Sequence, residues 1–122
     1  MDKAQILIDN GVDVKKGLEL LGDIYTYNEM LDEFMAEIGG KMIQLKEYYE
    51  KVDLDNYAIL VHALKSEVKY FGFDRLAEIL YQHETESKRG NIGFVHTNYD
   101  KLIEEIKKTI VLVKEYREQD VG

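Results

Sequence analysis

The sequence predicts an all-α fold, an antiparallel four-helix bundle with a short extra N-terminal helix. Three observations support this class. Proline is absent from the 122 residues, and the helix formers Leu, Glu, Lys, Ile and Ala supply much of the chain. Apolar residues recur at intervals of three and four, which is the spacing of one helix face. Glycine, aspartate and asparagine interrupt these patterns where short connections are needed.

The first half of the chain contains three predicted helical segments. A short helix is enclosed by glycines within residues 11–22. An aspartate can then cap a helix over residues 23–38, which the glycine pair at 39–40 is expected to end. A further helix is predicted over residues 41–51.

The second half shows the clearest periodicity. Asp53 or Asp55 is expected to cap a helix that ends at residue 71 and has one apolar stripe of Tyr57, Val61, Leu64, Val68 and Phe71. Gly72 breaks this helix, and the next one is predicted over residues 74–88. After a turn, the last helix is predicted over residues 94–118.

Length and composition restrict the classes of function. We expect one domain over residues 1–122, and the absence of cysteine excludes disulfides and thiolate metal sites and favours a cytoplasmic protein. The net charge of −8 argues against a nucleic-acid partner, which requires a basic surface. No apolar run approaches the ~20 residues of a membrane helix, and the first residues do not resemble a signal peptide. We therefore expect no membrane association, and we expect a monomer.

His62 is the main candidate for chemistry because a helical projection places it on the solvent side. At about 100° per residue, it lies roughly 140° from the centre of its apolar stripe. Three residues at i+3, i+4 and i+7 share this side of the helix: Lys65, Ser66 and Lys69. Ala58 lies on the same side, and Ile59 and Tyr70 point outward nearby. We expect Ala58, Ile59 and Tyr70 to offer a surface to a partner protein.

Glu84 is the expected partner of the imidazole. His62 and Glu84 each lie about eleven residues from the turn near Phe73, so an antiparallel helix pair places them at the same level. A carboxylate there can accept a hydrogen bond from the N–H group of one ring nitrogen. It would fix the tautomer and leave the other nitrogen with an outward-facing lone pair.

A nucleophilic histidine beside lysines suits a phosphoryl group. The ring nitrogen attacks phosphorus, the carboxylate stabilises the positive charge that develops, and the lysines screen the phosphate. The sequence shows no Gly-rich phosphate loop and no evident magnesium-binding cluster of carboxylates. We therefore expect a phosphotransfer intermediate without kinase activity of its own, which binds no cofactor itself and receives its phosphate from another protein.

Each assignment has a structural alternative. His62 and its neighbouring lysines can belong to an ordinary solvated helix face, and Glu84 can simply pair with Lys88 at i+4. A metal site formed by His62, His83 and Glu84 is disfavoured because no known ligand spacing is present. His83 is predicted to be a half-buried, hydrogen-bonded residue, and His96 has no evident partner.

At these residues the chain resembles the histidine-containing phosphotransfer (HPt) domain family. That family has a motif His-x-Leu-Lys-Gly, a glycine ten residues after the histidine, and a leucine and a glutamate in the following helix. The matching residues here are His62, Leu64, Lys65, Gly72, Leu76 and Glu84. The likeness covers about residues 11–93 and, through helix pattern alone, the remainder.

The resemblance implies a specific role. Domains of this family carry phosphoryl groups between receiver-domain aspartates in phosphorelays, and some accept phosphate from a kinase. The implied partners are a response-regulator receiver domain, which supplies the magnesium ion, and a hybrid sensor histidine kinase. By this likeness His62 is the phosphoacceptor, Lys65 and Glu84 assist it, and Gly72 has a supporting role.

Two departures from the family pattern keep a second hypothesis open. Ser66 stands where the family usually has glycine, and Lys69 stands where a small residue is frequent. Both lie on the imidazole side, where bulk can obstruct an approaching receiver. The alternative is a helical-bundle adaptor that binds a receiver or kinase domain without being phosphorylated.

Overall fold

The computed structural model describes residues 3–121. This part of the chain is all-helical, as predicted, with six α-helices that pack against one another. The helices are Gln5–Asp9 (α1), Val14–Leu21 (α2), Ile24–Glu50 (α3), Leu54–Tyr70 (α4), Asp74–Lys88 (α5) and Ile92–Val121 (α6). The buried apolar side chains of all six helices join in one core.

The N-terminal segment contains two short helices where one was predicted. α2 matches the prediction, and the Asp13 side chain caps it by accepting a hydrogen bond from the Lys16 backbone N–H. α1 was missed because it has only five residues and no side-chain cap, so its sequence signal is weak. Its Leu7 is fully buried, and the helix packs against α6.

α3 is a single helix, so the predicted break at Gly39 and Gly40 is wrong. Both glycines are exposed, and neither has the positive φ that commonly ends a helix. Each glycine costs about 1 kcal/mol relative to alanine in a helix interior. Ile38 and Leu45 are buried on either side of the pair, and their packing holds the helix continuous across it.

α4 and α5 follow the predicted boundaries closely. The side chain of Asp53, rather than Asp55, caps α4 by accepting a hydrogen bond from the Asn56 backbone N–H. Gly72 follows α4 with a φ of 88°, a left-handed conformation that glycine adopts without strain. α5 then begins at the expected residue.

α6 begins two residues earlier than predicted, at Ile92, and continues past residue 118. The Asn91 side chain explains the early start, because its oxygen accepts a hydrogen bond from the Phe94 backbone N–H at 3.1 Å. Among the four long helices, α3 contacts α4, α4 contacts α5, α5 contacts α6, and α6 contacts α3. The α4–α5 contact is the most extensive of these.

The turn between α4 and α5 also holds the N-terminal segment. The Asp13 backbone N–H donates to the Gly72 carbonyl oxygen at 2.9 Å. A Cβ atom at Gly72 would lie 2.2 Å from the Asp13 carbonyl oxygen, so only glycine fits this approach. Gly17 of α2 similarly faces the end of α4, where a Cβ atom would lie 3.1 Å from the Tyr70 carbonyl oxygen. Gly72 therefore supports the fold beside the site rather than the chemistry.

Candidate functional site

The centre of the candidate site is a hydrogen bond between α4 and α5. His62 Nδ1 lies 2.9 Å from Glu84 Oε2, so the prediction that these residues are level is confirmed. The His62 side chain is 55% exposed, whereas that of Glu84 is only 6% exposed. The carboxylate is therefore held inside the helix pair while the ring reaches the solvent.

Glu84 also binds two lysines. Lys65 Nζ lies 2.8 Å from Oε1, and Lys88 Nζ lies 2.7 Å from Oε2. Pairing with Lys88 was predicted as an alternative to orienting the imidazole, but the structure contains both contacts on the same oxygen. Glu84 thus accepts hydrogen bonds from one imidazole and two ammonium groups.

This arrangement keeps the carboxylate ionised. Burial raises the pKa of Glu84, but hydrogen bonds from Lys65, Lys88 and His62 outweigh burial and lower the pKa to about 2. An ionised carboxylate only accepts hydrogen bonds, so the Nδ1 atom of His62 must carry the proton. In the neutral ring, Nε2 is then left with its lone pair.

Lys65 is more constrained than a surface lysine. Its side chain is mostly buried, because it lies between Glu84 and the ring of Tyr81. The ammonium nitrogen is 5.2 Å from the centroid of that ring, within the range of a cation–π contact. The interpretation of Lys65 as an ordinary solvated residue is therefore not supported.

The two departures from the family pattern have different surroundings. The Ser66 hydroxyl donates to the His62 carbonyl oxygen at 3.2 Å, a bond to its own helix backbone. Lys69 is exposed and lines a cavity of about 260 Å³ together with side chains from α2 and α4, namely Lys16, Leu20, Ser66 and Tyr70. Ser66 occupies little space beside the ring, and Lys69 borders an open surface.

The predicted partner surface needs one correction. Ile59 and Tyr70 are well exposed, but Ala58 is only 4% exposed and cannot contribute to an exposed surface. Ala58 lies about 40° from His62 on the helix projection, on the side of α4 whose His62 and Lys65 contact Glu84 of α5. Leu20, which the sequence interpretation missed, is exposed beside Tyr70. It belongs to another helix, so no local pattern links it to His62.

The other two histidines have structural partners. His83 is 1% exposed, so it is fully rather than half buried, and its Nδ1 atom lies 2.8 Å from the Tyr57 hydroxyl. His96, which was expected to have no partner, has its Nδ1 atom 3.0 Å from the Tyr49 hydroxyl. Within the described residues, no cluster of three His, Cys, Asp or Glu side chains could hold a metal ion.

Comparisons of the chain with protein-family models, curated proteins and solved structures return no match. None of the helices within residues 3–121 combines the length and apolar character needed to cross a bilayer. The contacts around His62 are therefore the basis for any functional proposal.

Proposed function

We propose that this chain is a phosphorelay intermediate of the HPt type, in which His62 is the phosphoacceptor. The observation that carries the proposal is the contact of 2.9 Å between the Nδ1 atom of the exposed His62 ring and a buried, ionised Glu84. In the neutral ring this contact leaves the lone pair on Nε2. A role in packing would not require this combination of orientation and exposure.

The transfer step follows from this geometry. The Nε2 lone pair attacks the phosphorus of an aspartyl phosphate on a receiver domain, and an N–P bond forms while the P–O bond to the aspartate breaks. The bonding electrons leave with the aspartate carboxylate. The proton stays on Nδ1, where Glu84 stabilises the positive charge on the ring. The reverse step, or attack by another receiver aspartate, passes the phosphoryl group on.

The lysines supply the second requirement, which is compensation of the phosphate charge. Lys65 and Lys88 are held beside the imidazole through their contacts with Glu84, and Lys69 lies two turns along the same helix face. Ammonium groups near the transferred phosphoryl group stabilise its charge without moving far. The acidic groups and the magnesium ion that phosphoryl transfer requires would come from the receiver.

The proposal includes the arrangement of the long helices. We assign α3–α6 to an antiparallel four-helix bundle, supported by the contacts that connect them in sequence and close between α3 and α6. Such a bundle presents His62 on an outer face, where a receiver or a hybrid sensor kinase can approach it. We propose a cytoplasmic monomer without autonomous enzymatic activity.

The test is phosphoryl transfer from isolated receiver domains charged with acetyl phosphate and magnesium. We expect the parent chain to gain one phosphoryl group that is labile to acid, as phosphohistidine is, and peptide mass spectrometry to locate it at His62. His62→Gln should gain none. His96→Gln, which alters another exposed histidine, should behave like the parent.

Two results would contradict the proposal. Equal phosphorylation of His62→Gln would remove His62 as the acceptor. Binding of a charged receiver without any transfer would instead favour the adaptor hypothesis.

A further inference from the structure

The outer face of α4 separates two groups of opposite charge. Toward α5 and α2 lies a lysine flank, which consists of Lys16, Lys65, Lys69 and Lys88. Toward α3 lies a glutamate flank, which consists of Glu33, Glu37 and Glu67. His62, Ile59 and Tyr70 occupy the strip between them.

Neither flank is neutralised by its neighbours. The four lysines have two carboxylate partners, since Lys16 pairs with Asp74 and both Lys65 and Lys88 pair with Glu84. The three glutamates share one lysine, because Lys41 contacts both Glu37 and Glu67. The lysine flank is therefore net positive on a chain whose net charge is −8, and the glutamate flank is net negative.

Each flank borders a cavity, and Tyr70 separates the two cavities. The cavity on the lysine side, of about 260 Å³, includes Leu20 and Lys69. The cavity on the glutamate side, of about 240 Å³, includes Met30 and Glu33. The Tyr70 side chain, which is half exposed, lines both. This part of the surface therefore combines apolar contact area with charges of opposite sign on either side.

A partner that reaches His62 must also contact this area. Tyr70 lies eight residues after His62, so the two are separated by about 12 Å along α4. A stable protein interface covers about 800 Å² on each partner, which is wide enough to include both. Charges across an interface of this size determine which partners can associate and in which orientation.

We propose that the two flanks select the receiver and set its orientation over His62. The fitting receiver presents an apolar side chain to the cavity beside Leu20 and Tyr70, acidic side chains to the lysine flank, and basic side chains to the glutamate flank. A receiver with a uniformly acidic surface is repelled by the glutamate flank, which is how like charges exclude incorrect partners. This inference rests on the proposed function, because it assumes that a receiver docks at His62.

The test reverses the charge pattern without changing the net charge. Lys69→Glu combined with Glu33→Lys exchanges one charge between the flanks, and both positions are exposed. The matched control combines Lys114→Glu with Glu115→Lys on exposed positions of α6, a helix that is not among the main contacts of α4. Circular dichroism checks that both variants fold.

The probe is a panel of isolated receiver domains from the same genome, charged with acetyl phosphate and magnesium. For the receiver that transfers fastest to the parent, we expect the second-order rate constant to fall about tenfold or more in the reversed variant at low salt. At about 1 M salt the difference should largely disappear because charges are screened. The control variant should match the parent at both salt concentrations.

The possible failures are distinguishable. If transfer occurs but the reversed variant is as fast as the parent, the selection mechanism is overturned and the proposed function stands. If no receiver phosphorylates the parent, the proposed function is lost and this inference with it.

Discussion

His62 and His83 lie on neighbouring helices and illustrate two uses of the same side chain. His62 is exposed and binds a buried carboxylate, while His83 is buried and binds the Tyr57 hydroxyl. The carboxylate can stabilise a positively charged ring, whereas a tyrosine hydroxyl in an apolar environment cannot. His83 thus belongs to the core, and we propose His62 as the reactive histidine.

The pKa of His83 expresses this difference. Burial lowers the pKa of His83 to about 4, and a hydrogen bond with the Asn98 backbone only partly opposes the effect. His83 therefore stays neutral in the folded protein at neutral pH. A ring that accepts a phosphoryl group needs an accessible lone pair and a group that stabilises its positive charge. The buried His83 ring has neither.

Removing Glu84 should produce the largest change, because the carboxylate is what distinguishes the two histidines. In Glu84→Ala we expect phosphoryl transfer to His62 to slow by between about 10²- and 10³-fold, the usual loss when a charge-stabilising group is removed. Rapid-quench measurement of phosphohistidine formation gives the rate.

Glu84→Gln supplies the intermediate case, since it retains a hydrogen-bond acceptor without the negative charge. We expect its rate to lie between those of the parent and Glu84→Ala. Parent-like rates in both variants would remove Glu84 from the mechanism and leave it a structural ion pair.

His83→Gln should change stability and its pH dependence rather than transfer. The pKa of His83 is lowered from 6.5 to about 4 by folding, so the unfolded chain binds more protons between these values. Proton uptake by the unfolded chain therefore lowers the free energy of unfolding as pH falls from about 6.5 to about 4, by up to about 3 kcal/mol. Above pH 6.5 this loss is absent. Urea unfolding at several pH values should show this decrease in the parent and a smaller one in His83→Gln.

His96→Gln is the matched control for that experiment. This exposed histidine bonds a tyrosine hydroxyl rather than a carboxylate, so we expect the variant to show the same decrease as the parent. An identical pH dependence in all three proteins would show that His83 does not titrate on unfolding.

The parts of the fold predicted best from sequence depend on local signals. The boundaries of α4 and α5 follow from a regular apolar stripe, an aspartate cap and Gly72 at the turn. Gly39 and Gly40 gave a misleading local signal, because the burial of Ile38 and Leu45 outweighs the low helix propensity of glycine. Tertiary packing of this kind is not visible in the local pattern.

The candidate site also combines contacts that local sequence predicts with features that tertiary packing decides. The His62–Glu84 contact was predictable because one short turn joins two helices with the same rise per residue. The number of residues from the turn therefore sets the height of each side chain along its helix. The burial of Ala58 depends on how far α5 overlaps that flank of α4, which sequence periodicity does not specify. The partner of His96 lies 47 residues away in the chain, beyond any local signal.

The smallest expected effect tests how far Lys88 contributes to the low pKa of Glu84. Lys88 shares Oε2 with His62 but is 61% exposed, so Lys88→Met should change the free energy of unfolding by less than about 1 kcal/mol at neutral pH. Its effect should appear instead in the pKa of Glu84, which should rise from about 2 toward the ordinary 4.5 while Lys65 keeps it below that value.

The sign of the accompanying change in stability follows from linkage. A lowered carboxylate pKa stabilises the fold above pH 4.5, and this stabilisation is lost as pH falls toward 2. The difference in the free energy of unfolding between the parent and Lys88→Met should therefore decrease over that range.

Carbon-13 NMR titration of the Glu84 carboxyl measures the pKa directly. Lys108→Met, which alters an equally exposed lysine paired within α6, should leave that pKa unchanged. A Glu84 pKa that is also unchanged in Lys88→Met would contradict this prediction and would mean that Lys65 and His62 alone hold the carboxylate ionised.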